Sequence, residues 1–412
     1  MNSRLDLTSV PSLESRGRPL TDSVLTLLWR KRQMSRAEIA RHTGLSRSTV
    51  SDVVSTLLET GLVAEVGDGP SRGGRRPVML AFQDDAYGIL GIDIGASHLS
   101  IGLLDLRGHV LQWRHVEDPG MDGVTEPLVE LSAACLRDWG VTRKHLLGIG
   151  VAVPGSVDSR GPGTLAHVSL PSWAEPTGLD GLKSEYGVPF FVDNEANLGA
   201  LAERWWGAGR GIDDFAYIRI ATGVCAGFLI RGEVYRGATG WAGEIGEVRT
   251  DDEGPMCTCG NRGCLTTFVG AQALISQTRA LLPDFPDSPL GVGPITVRAI
   301  EDAALGRDPL ALQVVRRAAQ RLGVAIADVL TLLNPAAVIL GGGFARLDEL
   351  LVNPLREAVL RRAFVSSMST ADIRTGEIGP QAIAVGAATL VLESALQNPR
   401  LFPRPVASQV GR

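Results

Sequence analysis

Cys257, Cys259 and Cys264 fall within eight residues, in the stretch GPMCTCGNRGC. Three thiolates that close together suit zinc, which takes four ligands in a tetrahedron. No histidine is near in sequence, because the last of the six is His167. The fourth ligand must therefore come from elsewhere, and Asp251 or water are candidates. The glycine turns carry a second kind of chemistry. Gly91-Ile92-Asp93-Ile94-Gly95-Ala96-Ser97 reads as a strand ending in a tight turn. There Asp93 can face Mg²⁺ while turn amides at Gly95 and Ser97 cradle a phosphate. A related turn stands at Thr222-Gly223, and Gly341-Gly342-Gly343 opens a third. Consecutive glycines let a nucleotide approach the backbone, and they equally make a tight turn with no ligand.

These turns need elements to hold them. A strand through Leu99, Ile101, Leu103 and Leu104 follows the first turn and ends at Asp105, a second candidate for the metal. Tyr217–Ile220 and Ala226–Ile230 flank the second turn as a hairpin. Two strand–turn–strand units predict a duplicated α/β architecture around a cleft. Leu312, Val315, Ala319, Leu322, Ala325, Ile326, Val329 and Leu332 have helical spacing over 311–333, and Asn334-Pro335 ends that helix. Ala337–Leu340 is a buried-type strand leading into the three glycines. Trp173, Trp205, Trp206 and Trp241 read either as cleft walls or as core.

The first 82 residues read differently. Val24, Leu25, Leu27 and Leu28 give a short apolar helix face. Ser35 followed by Glu38 is a capping box that starts a second helix, ending near Thr43-Gly44. Ser46 caps a third, whose apolar positions Val50, Val53, Val54, Leu57 and Leu58 share one face. Two helices across a short glycine turn form a helix-turn-helix, whose second helix enters the major groove by its N-terminal end. Arg47, Ser48, Thr49 and Ser51 stand there, with Arg47 able to take guanine O6 and N7. Arg36 and Arg41 are placed for phosphates. Strands at 61–66 and 78–82 flank a glycine-rich tip with Arg72, Arg75 and Arg76, a hairpin wing that can reach backbone or minor groove. Residues 1–20 read as a loose arm, 21–82 as the DNA-binding head, 86–399 as the body, and 400–412 as a tail.

The 412 residues allow two or three domains. Net charge is -5, but residues 1–80 carry 12 Lys/Arg against 8 Asp/Glu, leaving +4 on the head and -9 on the remainder. A basic head on an acidic body fits a nucleic-acid module joined to a ligand-binding one. No run of 18 apolar residues is present, so no membrane span is expected. Five cysteines, three of them clustered, fit a metal site in a reducing compartment, and cytoplasm is the expectation.

The body resembles the ROK family of repressors, open reading frames and sugar kinases. The marks are DIGAS, GIGVAVPGSVD at 148–158, VPFFVDNEANLGALAE, GEIGE, CTCGNRGC and LNPAAVILGGG. The resemblance covers about 88–395 and implies a two-lobed actin-like, sugar-kinase (ribonuclease H-like) fold. Fusion to a winged helix resembles the family's transcriptional regulators. It implies a homodimer or tetramer bound to palindromic double-stranded operator DNA and released or recruited by a sugar effector, in a bacterial cytoplasm, nucleoid-associated when on DNA.

The resemblance also implies roles. The kinase base is the Asp of N-D-x-N; here Asn194-Glu195-Ala196-Asn197 carries Glu195, longer by one methylene. Misplacement on that scale costs about two orders of magnitude in rate. The phosphate turns depart too, at Ala96 and Ser97 and at Ala221 and Cys225. A degenerate kinase site is therefore expected, with Mg²⁺ and ATP only if activity survives. Sugar contacts are implied for Asn194, Glu195, Glu244, Glu247 and Ser169. The family's histidine ligand to zinc is replaced by Glu247, which completes a structural Zn²⁺ site with Cys257, Cys259 and Cys264 in a loop over 247–264.

Overall fold

The computed structural model describes residues 20–70, 76–95, 98–117, 125–140, 142–155, 157, 176–362 and 372–402. Ser97, Ser169, Arg72, Arg75, Trp173, nearly all of the N-terminal arm and most of the tail lie outside them.

The head runs α1 (Leu20–Lys31), β1 (Gln33–Ser35), α2 (Arg36–Thr43), α3 (Arg47–Glu59), β2 (Val63–Asp68) and β3 (Val78–Phe82). Both halves of the capping box form: Ser35 Oγ accepts from Glu38 N, and Glu38 Oε2 accepts from Ser35 N at 2.9 Å. Such a cap contributes roughly 1 kcal/mol. Gly44 ends α2 in the left-handed region at φ 71, and Ser46 caps α3. Val50, Val53, Val54 and Leu57 bury against α1, while Leu58 is half-buried. The wing is β2 against β3, and β1 adds a short third strand that the sequence did not announce.

The body has two lobes with one plan. The first holds β4 (Gly88–Ile94), β5 (His98–Leu104), β6 (Val110–Glu117), α4 (Thr125–Trp139), β7 (Leu146–Val153), α5 (Pro176–Tyr186), β8 (Phe190–Asn194) and α6 (Glu195–Trp206). Its sheet runs β6-β5-β4-β7-β8, antiparallel through the first three strands and parallel beyond β4. The second holds β9 (Phe215–Ile220), β10 (Val224–Ile230), β11 (Glu233–Tyr235), α7 (Thr266–Val269), α8 (Ala271–Leu281), α9 (Val297–Leu305), α10 (Pro309–Leu333), β12 (Ala337–Gly341), α11 (Glu349–Arg362), β13 (Asp372–Thr375) and α12 (Ala382–Gln397). Its sheet, β11-β10-β9-β12-β13, repeats the same sequence of antiparallel and parallel pairs. The expected duplication is present, and the fold is the α/β winged-helix head plus two-lobed body.

The long helix α10 starts at its Asp308 cap and stops at Asn334, which is left-handed at φ 46. Its expected apolar face holds except at the end, where Leu332 is 81% exposed. Helix α12 returns to the first lobe and packs on β4, β7 and α6. Gly91 and Gly150 let it come that close: an added Cβ at either would lie 1.9 Å from a carbonyl oxygen of α12. The segment Gly379–Gln397 has an 18-residue window apolar enough to cross a membrane, but 67% of that window is buried in the protein. It is a core helix between the sheet and α6.

Candidate functional site

Asn194 and Glu195 mark the junction of β8 and α6, where the first lobe meets β9 of the second. Asn194 is the N-cap of α6: its Oδ1 accepts from Ala196 N at 2.8 Å, and its Nδ2 donates to Gly155 O at 3.0 Å. Much of its hydrogen-bonding capacity is thus spent on the fold, leaving one N–H and one lone pair. Glu195 begins the helix and is buried. Its Oε2 lies 2.7 Å from Arg219 Nη1. Glu195 and Gly199 share one face of α6, and Tyr217 and Arg219 share one face of β9, so two short-range periodicities bring the pair together.

Asp93, near the end of β4, is buried, and one oxygen of the carboxylate expected to face Mg²⁺ is taken by a neighbour. His98 Nε2 lies 3.0 Å from Asp93 Oδ2. The His98 ring also fills the turn: a Cβ at Gly95 would meet it at 2.0 Å. Burial pulls the His98 pKa down, but its hydrogen bond and charge contact with Asp93 outweigh that and raise it. Burial pushes the Glu195 carboxyl up to about 7 against the pull of Arg219. Desolvation opposes protonation of Arg219, yet Glu195 and Asp93 raise its pKa. The result is a cluster of two acids and two bases, paired as Asp93 with His98 and Glu195 with Arg219. Across it, Asp193 accepts from Arg236 Nε at 2.9 Å and Nη2 at 2.6 Å, pinning β8 of one lobe to the segment after β11 of the other. Three buried acceptor oxygens in this region have no protein partner: Asp93 Oδ1, Glu195 Oε1 and Asn197 Oδ1.

Sequence reasoning missed His98 and Arg219. A signal for Arg219 was available, since it is a lone charge inside the otherwise uncharged strand FAYIRI and must find a buried counter-charge.

Other expectations change. Asp105 is no metal candidate: its Oδ1 accepts from Arg107 N and His109 N at 2.8 and 2.9 Å, and Oδ2 meets His109 Nδ1 at 2.8 Å, closing the β5–β6 turn. Packing alone is enough to require glycine at 341–343. A Cβ at Gly341 would meet the Tyr217 hydroxyl, one at Gly342 the Ile220 carbonyl, and one at Gly343 a Glu301 oxygen. Gly341 ends β12, and Gly342 turns the chain at φ 85. Thr222 and Gly223 do form the β9–β10 turn, with Thr222 exposed and Gly223 half-buried. Glu244 is half-buried and close enough to Cys225 to raise its pKa, after burial, which pushes that thiol up to about 12. Trp205 is buried and Trp206 half-buried, both packed rather than lining the cleft, whereas Trp241 is 49% exposed.

Glu247 faces the cysteines. One ligand atom each from Glu247, Cys257, Cys259 and Cys264 lies within 4.8 Å of every other. Cys257 Sγ is 3.3 Å from Glu247 Oε2, and Cys259 Sγ is 3.6 Å from Cys264 Sγ. A tetrahedron with Zn–S bonds near 2.3 Å sets sulfurs about 3.8 Å apart, so the set fits such an ion. Burial raises the Cys257 and Cys264 thiols, the latter to about 12. Asp251 pairs with Arg321 at 3.1 Å and is not in the cluster.

In the head, Arg47, Ser48 and Ser51 are exposed at the start of α3, as is Arg76 at the wing base. Thr49 is half-buried and, with Ser48, touches Ser46 Oγ at 2.8 Å. Arg41 is 65% exposed beside Glu38. Arg36 departs from expectation: Nη1 lies 2.9 Å from Glu65, tying α2 to the wing.

A winged helix-turn-helix on a duplicated, two-lobed body with buried polar groups where the lobes meet defines a DNA-binding protein built on a sugar-kinase-type ATPase fold. A model of the IclR helix-turn-helix domain matches residues 23–67, and the ROK family model matches residues 89–394. The chain belongs to the ROK family. The xylose repressor of Bacillus subtilis (strain 168) is 31% identical over 364 residues, covering 87% of this chain and 91% of the repressor. A solved ROK family transcriptional regulator, a homolog of the E. coli MLC protein, matches with TM-score 0.75 and 25% identity over 93% of this chain and 99% of its own. The ROK family glucokinase from Streptomyces griseus, solved with glucose and AMPPNP, matches with TM-score 0.65 and 29% identity over 74% of this chain and 98% of its own.

Proposed function

We propose that this protein is a sugar-responsive transcriptional regulator, a repressor of carbohydrate genes, whose cleft receives a sugar without phosphorylating it. The observation that carries this reading is the set of buried acceptor oxygens on Asp93, Glu195 and Asn197 that lack protein partners. A polyol supplies hydroxyl donors to such a set, and each donor would satisfy a group that is costly to leave bare. Glu244, Asn194 and Glu247 stand on the same side of the argument as further sugar contacts. Similarity to a xylose repressor over nearly the whole chain supports the regulatory role.

Two features weigh against turnover. Arg219 engages Glu195 Oε2 and its charge makes the carboxylate a weaker base, leaving only Oε1 to take a hydroxyl proton. Phosphate binding at the first turn would need the volume that the His98 ring fills. The alternative, an ATP-dependent hexose or N-acetylhexosamine kinase of glucokinase type using Mg²⁺, draws on the Glu195 carboxyl near pH 7, a working range for a base. The Glu247–Cys₃ cluster would hold a structural Zn²⁺ that ties the loop to the sugar site through Glu247. A homodimer would present two heads to a palindromic operator, in the cytoplasm.

The test is calorimetry with a panel of pentoses, hexoses and N-acetylhexosamines, followed by ADP release from Mg-ATP with any sugar that binds. At least one sugar is expected to bind and to change operator affinity, with no turnover above background. Sugar-dependent turnover near ~1 s⁻¹, inside the ordinary enzyme range, would make the protein a kinase carrying a DNA-binding head.

A further inference from the structure

Two elements that begin in the cleft end at the joint between head and body. The first is α6, with Glu195 at its start and Trp205 and Trp206 in its last turn. At 1.5 Å per residue it spans about 18 Å. The second is β5, which starts at His98 on Asp93 and runs into the turn at 105–109. Between their far ends sits Trp29 of α1, fully buried. Its Nε1 donates to Leu106 O at 3.0 Å. Its ring meets Trp205 edge-on, centroids 5.6 Å apart. The Arg107 guanidinium lies 4.7 Å from the Trp29 centroid and 5.5 Å from that of Phe82. Trp206 closes the ring of contacts, lying against Gly108 and donating from Nε1 to Thr389 Oγ1 at 2.8 Å.

The joint also contains a conflict. Arg107 is buried, and its Nε donates to Asp84 Oδ1 at 2.6 Å, but Nη1 and Nη2 have no hydrogen-bond partner. If the head lifted, that charge would regain water while Trp29 lost its burial. Two opposing terms in one contact bring two arrangements close in free energy, which is the property a switch requires.

We infer that the Trp29 joint carries pocket occupancy to the DNA-binding head. Trp205 and the 105–109 turn are positioning groups that hold α1, and a ligand that rearranges Asp93, His98, Arg219 and Glu195 shifts the starts of β5 and α6 and loosens their grip on Trp29. The inference rests on the effector reading of the cleft.

Trp205→Leu in the full-length, zinc-loaded chain tests it. Sugar affinity should stay within about threefold of the parent, while the sugar-induced change in operator affinity, a coupling expected in the ~5–150-fold range, should collapse toward none. Trp29→Phe, which keeps a ring but loses the bond to Leu106, should give a partial loss and serves if Trp205→Leu does not fold. A ligand-free readout accompanies them. Glu195→Gln should speed amide exchange in α1 and at 105–109 while leaving the 257–264 loop unchanged. A normal sugar response in the joint variants, or exchange changes confined to the cleft, overturns the inference. If no sugar binds the parent protein, the effector reading fails separately, and the exchange comparison alone decides the joint.

Discussion

Arg219 and Glu195 meet at 2.7 Å with both side chains no more than about a tenth exposed. A buried pair of this kind contributes little net stability, since its attraction is offset by two desolvations. Breaking it is different, because the survivor is left charged and alone. Arg219→Met should therefore lower the unfolding free energy by about 3–5 kcal/mol, and adding Glu195→Met should recover most of that loss. Urea unfolding of the three variants beside the parent reads this cycle; a double variant no better than the single would mean the pair is not the local balance of charge. At this scale the sequence was partly legible. The Asn194-Glu195 segment was found from its motif. The partner of Glu195 was not, because an ion pair between β9 and α6 leaves no spacing in the chain, and His98, five residues past Asp93, was passed over.

At the scale of elements, the cysteine loop was the most legible part, because its candidate metal ligands are close in sequence and of rare types. What sequence could not settle was whether Glu247 or Asp251 faces the thiols. That depends on the path of the loop. Arg249 bridges Cys264, Met256 bridges Arg262, and Cys257 N donates to Asn261 O at 2.8 Å, so the segment folds back on itself and carries Glu247 to the sulfurs. A metal bound to this donor set would add to the order of the loop. Cys257→Ser should drop zinc from about one per chain to well below half, since structural sites need all four ligands. It should lower Tm by at least ~4 °C, about 2–4 °C following each kcal/mol in a domain of this size. Emission spectrometry and a thermal melt read the two effects. Unchanged metal content would move zinc off this cluster.

For the whole molecule, fold class followed from pattern. A capping box, an apolar stripe, strand–turn–strand units and a 25-residue helix are local signals, and each formed where its spacing placed it. The docking of head on body was not legible, for Trp29 and Leu106 are 77 residues apart and no periodicity links them. That docking leaves the start of α3 exposed, so the basic head on the acidic body presents Arg47 outward. Of the head arginines, Arg36 is engaged with Glu65 and Arg41 stands beside Glu38, whereas Arg47 is exposed at the helix end that reads base edges. Arg47→Ala should cost about 1–3 kcal/mol on the operator and much less on random DNA, with little change in the salt slope. Arg41→Ala should instead weaken both by a similar factor and reduce the slope by about one. Anisotropy titrations on operator and random duplexes across salt separate the two. Equal losses for Arg47→Ala on both duplexes would place it on phosphate and shift base reading to Ser48, Ser51 or the wing.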